Sequence, residues 1–260
     1  MILEEVAALT RNRVAEEKKK IPADEMRRMA ESLPVTGTFP FGKALRTPGL
    51  SFICEVKKAS PSKGLIAPDF PYLQIAREYE QAGASAISVL TEPYRFLGSD
   101  QYLQEIAQSV NIPVLRKDFT VDSYMIDQAK TLGASAVLLI CSILDDGAIR
   151  EYMAQARELG LSALVEAHDA KEVERALAAG ASILGVNNRD LRTFQVDVNN
   201  SVRLRAMVPP EIVFVSESGI RGPEDKKVLY ENGTDAVLIG ETLMRSADKK
   251  AALDQLRQGK

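Results

Sequence analysis

The sequence predicts a (β/α)8 barrel preceded by a helical extension, and three observations point there. From residue 51 onward, short apolar runs alternate with helical segments about eight times, the count and order of that fold, and 260 residues are a fitting length. Several runs are announced by one phrase: Gly83-Ala84-Ser85-Ala86, Gly133-Ala134-Ser135-Ala136, Gly180-Ala181-Ser182-Ile183 and Gly233-Thr234-Asp235-Ala236. Glycine suits a left-handed helix C-cap, and the small residues after it let the chain turn tightly into a strand. Finally, polar residues close the apolar runs: Glu55 and Lys57, Lys117, Glu166, Asn187 and Glu217. Parallel strands buried on both faces read as continuous Val, Ile and Leu, so a charge ending such a run costs stability unless it has another task. In a repeating strand-helix chain these ends all open onto one face, which therefore reads as an active site.

The elements follow in order. Helical character runs over 2–19 and 23–33, and the segment holding Pro34, Gly37, Pro40, Pro48 and Gly49 fits no repeat. Residues 1–48 are therefore an extension packed on the barrel, and 1–260 is taken as one barrel domain. Lys18-Lys19-Lys20 reads as a solvated helix end. Strands are expected near 51–57, 85–90, 113–117, 135–140, 162–166, 182–187, 212–217 and 235–239, with helices between them. The first strand runs into the polar, cationic loop from Lys57 to Gly64, a candidate lid over the mouth that extends to a helix start near Asp69. A doubly wound open sheet shares the alternation, yet no Gly-x-Gly-x-x-Gly follows the first strand and no linker divides the chain.

Composition excludes several classes. A formal net charge of -3 with no Trp, and no Lys/Arg stripe interleaved with aromatics, argues against nucleic acid. No apolar stretch approaches a membrane span, and the first residues lack a signal-peptide core, so a cytoplasmic protein is expected. Oligomeric state is not legible in the residues, and a monomer is the working expectation. The two cysteines are far apart in sequence and are expected to be reduced. Cys54 has the opposite strand parity to Glu55 and Lys57, so it should face the helices. A single His and no carboxylate cluster at ligand spacing leave no metal site, and no cofactor fingerprint is present.

Two glycine-containing turns follow the last two strands, at Ser216-Glu217-Ser218-Gly219-Ile220 and Ile239-Gly240-Glu241-Thr242. Barrel enzymes commonly hold phosphate there, where backbone N–H groups approach the oxygens, so a phosphorylated small molecule is the expected substrate. A carboxylate repels phosphate, so only the backbone N–H of Glu241 is assigned and its side chain should point away. Lys57 continues the inward parity of Glu55 and is an anion ligand; Lys58 and Lys63 read as solvent-exposed charges. Arg189 can reach the same mouth, with Asp190 as an alternative structural partner. His168 is expected at a helix cap or in solvent. Proton transfer then falls on Lys and Glu, a desolvated lysine being lowered toward neutrality and a buried glutamate raised.

In this order, several segments resemble the indole-3-glycerol phosphate synthases of tryptophan biosynthesis. They are Glu55-Val56-Lys57-Lys58-Ala59-Ser60-Pro61-Ser62-Lys63-Gly64, Leu90-Thr91-Glu92 leading to Phe96-Leu97-Gly98-Ser99, Arg116-Lys117-Asp118-Phe119, Leu164-Val165-Glu166-Ala167-His168-Asp169, Gly185-Val186-Asn187-Asn188-Arg189-Asp190-Leu191, and Ser216-Glu217-Ser218-Gly219-Ile220 with Ile239-Gly240. The extension is similar to the one that family carries. The resemblance implies closure of the indole ring in 1-(2-carboxyphenylamino)-1-deoxyribulose 5-phosphate, with loss of carbon dioxide and water. It implies Lys117 as the acid on the ketone oxygen, Glu166 as the base, and Lys57 as a ligand of the substrate carboxylate and a donor in dehydration. Glu55 and Glu217 would orient the lysines and sugar hydroxyls, and Asn187 would bind substrate. Ser60, Arg189, Ser218, Gly219, Gly240 and Glu241 would line the anion side, and Phe96, Phe119, Leu138 and Leu191 the pocket for the aromatic ring.

Rival readings remain open on the residues alone. A barrel aldolase would form a Schiff base through Lys117 or Lys57. A phosphoribosylanthranilate isomerase would need an inward cysteine, which Cys54 does not supply. A noncatalytic phosphate-binding barrel leaves the converging charges without a purpose.

Overall fold

The computed structural model describes residues 2–190 and 193–258. Eight parallel strands close into a barrel: β1 Ser51–Val56, β2 Ala86–Leu90, β3 Val114–Lys117, β4 Ala136–Ile140, β5 Ser162–Ala167, β6 Ile183–Asn187, β7 Val213–Glu217 and β8 Ala236–Ile239, the last pairing with the first. Each strand agrees with its expected run to within one residue at either end. The glycines of the repeated phrase, Gly83, Gly133, Gly180 and Gly233, have φ of 84°, 84°, 90° and 81°. In that left-handed region glycine carries no steric penalty, so each helix ends cleanly before the next strand begins.

Side-chain alternation divides the core in two. Ile53, Leu115, Leu138, Leu164, Val215 and Leu238 belong to the cluster inside the barrel. Their neighbours in sequence, including Cys54, Val137, Val165, Leu184 and Val237, pack outward against the helices. Burial pushes the Cys54 thiol up to about 12, so it is an inert packing group, as expected from its parity.

The helices are α1 Ile2–Lys20, α2 Ala23–Glu31, α3 Pro40–Ala44, α4 Tyr72–Gln81, α5 Asp100–Ser109, α6 Tyr124–Thr131, α7 Asp146–Glu158, α8 Ala170–Ala178, α9 Asn199–Arg205, α10 Pro223–Glu231, α11 Glu241–Arg245 and α12 Lys249–Arg257. Among the described residues four helices carry a side-chain N-cap: Ser99 on α5, Asp145 on α7, Asp169 on α8 and Asp248 on α12. The loop after β1 holds a small antiparallel ladder, Ala59–Ser60 with Gly64–Leu65. Its helix starts at Tyr72 rather than near Asp69, because Pro71 is the N-cap and disfavours helical backbone at Phe70.

The extension grips both ends of the barrel. α1 crosses the C-terminal mouth, where Arg13 Nη2 donates to Asp118 Oδ2 at 2.7 Å and Lys18 Nζ donates to Asp122 Oδ2 at 2.7 Å. α2 packs on α6, with Arg27 Nη1 3.2 Å from Asp127 Oδ1. The proline- and glycine-rich segment, read as irregular from sequence, contains α3, whose Pro40 sits at the first helical position. Phe41 and Leu45, 0% and 1% exposed, join the inner cluster, and the Gly42 N–H donates to Ser162 Oγ at 3.3 Å at the start of β5. α3 therefore plugs the end of the barrel opposite the mouth.

Candidate active site

The charged groups inside the mouth come from alternate strands: Glu55 from β1, Lys117 from β3, Glu166 from β5 and Glu217 from β7. Barrel interiors stack in layers of four side chains from alternate strands, and here the uppermost layer is ionic. Lys117 Nζ donates to Glu166 Oε2 at 2.8 Å and to Glu217 Oε2 at 2.7 Å. Lys57, just beyond β1, pairs with Glu55 Oε2. Asn187 Nδ2 donates to the other Glu166 oxygen, Oε1, at 3.2 Å, while its own Oδ1 accepts the Arg189 backbone N–H at 3.0 Å. Glycines make the room. A Cβ on Gly185, within β6, would collide with Glu217 Oε1, and one on Gly240 would collide with Glu55 Oε2 and lie 2.8 Å from Lys57 Nζ.

Burial and charge set the protonation states. Burial acts to lower the Lys117 pKa, but Glu166, Glu217 and Glu55 outweigh it and hold the ammonium above its ordinary value. This reverses the expectation of a lysine lowered toward neutrality, because carboxylates, not cations, surround it. Burial pushes Glu217 up to about 7, with Lys117 pulling against it. Burial would raise Glu166 as well, yet Lys117 and then His168 outweigh it and hold Glu166 below the usual carboxylate range. The raised glutamate is thus Glu217, not Glu166.

The strand end that carries Lys117 is braced from behind. Arg116, 1% exposed, donates to Thr91 Oγ1 at 3.2 Å, the Met125 carbonyl at 2.9 Å and Asp100 Oδ1 at 2.8 Å. Asp118 accepts from Thr91 Oγ1 at 2.6 Å as well as from Arg13. Burial would raise the Asp118 carboxyl, but Arg13 and Arg116 keep it ionised.

These groups open into a cavity of about 540 Å3. Glu55, Lys57, Ser60, Phe96, Lys117, Phe119, Leu138, Glu166, Asn187, Arg189, Glu217, Ser218, Gly219, Gly240 and Glu241 all line it. Leu191 lies outside the described residues. Phe96 and Phe119 face each other with ring centroids 6.2 Å apart. The Phe96 turn is fixed by Glu92, whose carboxylate accepts the backbone N–H groups of Tyr94, Arg95 and Phe96 at 2.9, 2.7 and 2.9 Å. On the opposite wall Ser218 and Gly219 are both left-handed, with φ of 68° and 87°. Glu241 turns to Lys63 Nζ, 3.5 Å away, and Arg245 Nε, 3.2 Å away, tying α11 to the lid loop. Lys63 is exposed, as expected, and also bridges the lid loop to α11. Arg189 Nη1 donates to the Phe194 carbonyl at 3.3 Å.

Several residues were not anticipated. Ile2, Leu3 and Val6 of α1 line the cavity, as do Phe194, Val196 and Arg221; nothing in the spacing of α1 distinguishes a mouth-facing stripe from a barrel-packing one. His168 is neither a cap nor solvated. Its side chain is 18% exposed and its Nε2 lies 3.4 Å from Glu166 Oε1. The signal was available, since residues 166 and 168 share strand parity as 55 and 57 do.

The closed barrel with a charged cavity at the C-terminal ends of its strands places the protein among the (β/α)8-barrel enzymes. The family model described as indole-3-glycerol phosphate synthase matches residues 3–256. The chain belongs to that family, whose members are carboxy-lyases of tryptophan biosynthesis. Relatives named indole-3-glycerol phosphate synthase include one from Ruminiclostridium cellulolyticum, 56% identical over 99% of both chains. Another, from Endomicrobium trichonymphae, is 52% identical over 99% of this chain and all of its own. Among solved structures, a 3-hexulose-6-phosphate synthase from Salmonella typhimurium is similar with a TM-score of 0.66 at 15% identity, covering 80% of this chain and 97% of that one. A thiamine phosphate pyrophosphorylase from Pyrococcus furiosus gives 0.60 at 18% identity, over 80% and 94%. At that distance these two show the fold alone.

Proposed function

We propose that Lys117, Glu166 and Lys57 carry the family reaction here, the closure of the indole ring in 1-(2-carboxyphenylamino)-1-deoxyribulose 5-phosphate with release of carbon dioxide and water. The observation that carries this reading is Lys117 Nζ held between Glu166 and Glu217 at 2.8 and 2.7 Å in the mouth. A ring carbon attacks the ketone, and Lys117, kept as an ammonium by its carboxylates, protonates the developing alkoxide. Carbon dioxide leaves from the ring carbon that made the attack, and its bonding electrons restore the aromatic ring. The new hydroxyl then departs as water, with Lys57 as proton donor and Glu166 as the base that removes the remaining proton.

Phe96, Phe119 and Leu138 take the aromatic ring, whose carboxylate meets Lys57. Ser218, Gly219 and the backbone around Gly240 face the phosphate, with Ser60 and Arg189 completing the anion side and Asn187 the hydroxyls. Glu55 orients Lys57. The enzyme acts as a monomer in the cytoplasm, where its two buried cysteines stay reduced. Nucleic acid and membrane have no part in this; among the described residues no helix is long and apolar enough to cross a membrane.

A Schiff-base aldolase needs a neutral lysine, and the raised Lys117 argues against one. The test is incubation with the carboxyphenylamino-deoxyribulose phosphate while indole fluorescence is followed. Emission should rise with product, and borohydride added with substrate should leave the protein mass unchanged. A stable adduct on Lys117 or Lys57 would replace acid catalysis by covalent catalysis.

A further inference from the structure

Lys117 lies almost equally close to two buried carboxylates, 2.8 Å from Glu166 and 2.7 Å from Glu217, whose side chains are 3% and 2% exposed. The lysine alone therefore gives no reason for one of them to be a base and the other to hold a proton. The asymmetry comes from behind. Glu217 Oε1 is buried without a hydrogen-bond partner, whereas Glu166 Oε1 meets Asn187 Nδ2 at 3.2 Å and His168 Nε2 at 3.4 Å. An amide donates to either form of a carboxyl, but an imidazolium favours only the anion.

We propose that His168 is a positioning residue, standing as a cation between Glu172 and Glu166 and thereby fixing which of the two carboxylates beside Lys117 stays ionised. The proposal rests on the assignment of Glu166 as the base and goes beyond it.

Three elements hold the imidazole in place. On α8, Glu172 Oε2 lies 3.1 Å from Nδ1 and accepts the His168 backbone N–H at 2.8 Å. In the turn after β4, Ser142 Oγ lies 3.2 Å from Nδ1 and donates to Glu172 Oε1 at 2.6 Å. From α9, Asn200 Nδ2 donates to the His168 carbonyl at 3.0 Å. Both ring nitrogens thus face carboxylates; Nε2 makes no hydrogen bond to Glu166 at 3.4 Å, so what reaches Glu166 is the charge of the ring, which both carboxylates favour. The other charges acting on the ring are Glu217 on β7, which favours its cationic form, and Lys117 on β3, which lies beyond Glu166. Since His168 does not line the cavity, it acts on the reaction through Glu166 and not on substrate.

His168 is the only histidine in the chain, so its ring proton resonances need no assignment by mutation. In the intact protein without substrate, NMR titration should place His168 above the ordinary value of about 6.5, and Glu166→Gln and Glu172→Gln should each lower it. Titration at or below the ordinary value, unmoved by Glu166→Gln, would overturn the proposal. Kinetics give a second measurement. His168→Gln keeps a donor but loses the charge, so the acid limb of kcat should move up by about 1 to 3 pH units while KM stays within roughly twofold. His168→Lys should bring the limb back toward the parent. A uniform loss of rate with an unmoved limb would mean that His168 is only structural. The NMR titration requires no turnover, so the two readings fail separately: a Glu166→Gln enzyme at parental rate removes the base assignment, and an ordinary histidine titration removes the role of His168.

Discussion

At the scale of the residue, Lys117 can serve as an acid because carboxylates surround it more closely than burial penalises it. Lys117→Ala should lower kcat by roughly 10² to 10⁴ with KM largely kept, since the loss falls on the transition state. Lys117→Arg should not rescue, because a guanidinium keeps the charge but holds its proton too tightly; a parental rate in that variant would show that charge alone is needed. Glu217 makes a different prediction. Its folded pKa, about 7, lies above the unfolded carboxyl value of 4.5, so its contribution to stability is complete below about pH 4.5 and is lost as the pH rises through 7. A neutral isostere escapes that loss. The Tm of Glu217→Gln relative to the parent should therefore climb between pH 4.5 and 8, and a constant difference would show that Glu217 is ionised throughout. The positions of Glu55, Lys117, Glu166, Asn187 and Glu217 were legible because a charged or amide side chain at the end of an apolar run has no packing explanation. Protonation states were not, since they depend on which strands become neighbours across the barrel. Gly185 is a further case: a glycine inside a strand flags a close approach, but only the closed barrel reveals that the approaching atom is Glu217 Oε1.

At the scale of the element, the strands and the first two helices of the extension could be read from the sequence, and α3 could not. Strand periodicity is local, and four glycine phrases mark where the helices stop. α3 has five residues and lies between prolines and glycines, so no periodicity can accumulate over its length. Its order comes from the barrel, which supplies an apolar floor for Phe41 and Leu45. Phe41→Ala should therefore cost about 3 to 5 kcal/mol by denaturant unfolding, the range for deleting a buried aromatic ring. Turnover by the folded fraction should be unchanged, because the floor is remote from Lys117. A variant with parental stability and a reduced kcat would refute the plug and tie α3 to the site instead.

At the scale of the whole molecule, the cavity depends on parts far apart in sequence: α1 supplies Ile2, Leu3 and Val6, and the turn after β8 supplies Gly240. Closure itself rests on Ser51 of β1 pairing with Ala236 of β8. A ribosome releases the first strand long before the last. At about 5 to 20 residues per second, β1 waits roughly ten seconds or more with one edge unpaired, an apolar template open to any other nascent chain. Glu55 is the charge within that edge, and Lys57 and Lys58 follow it directly. The carboxylate that belongs to the ionic layer of the finished enzyme should therefore also act as a gatekeeper against aggregation during synthesis. Glu55→Leu chains made in a cell-free system should appear in the pellet more than parental chains, and more than Glu217→Leu chains, whose strand emerges shortly before closure. Equal partitioning of the two variants would confine Glu55 to the folded state.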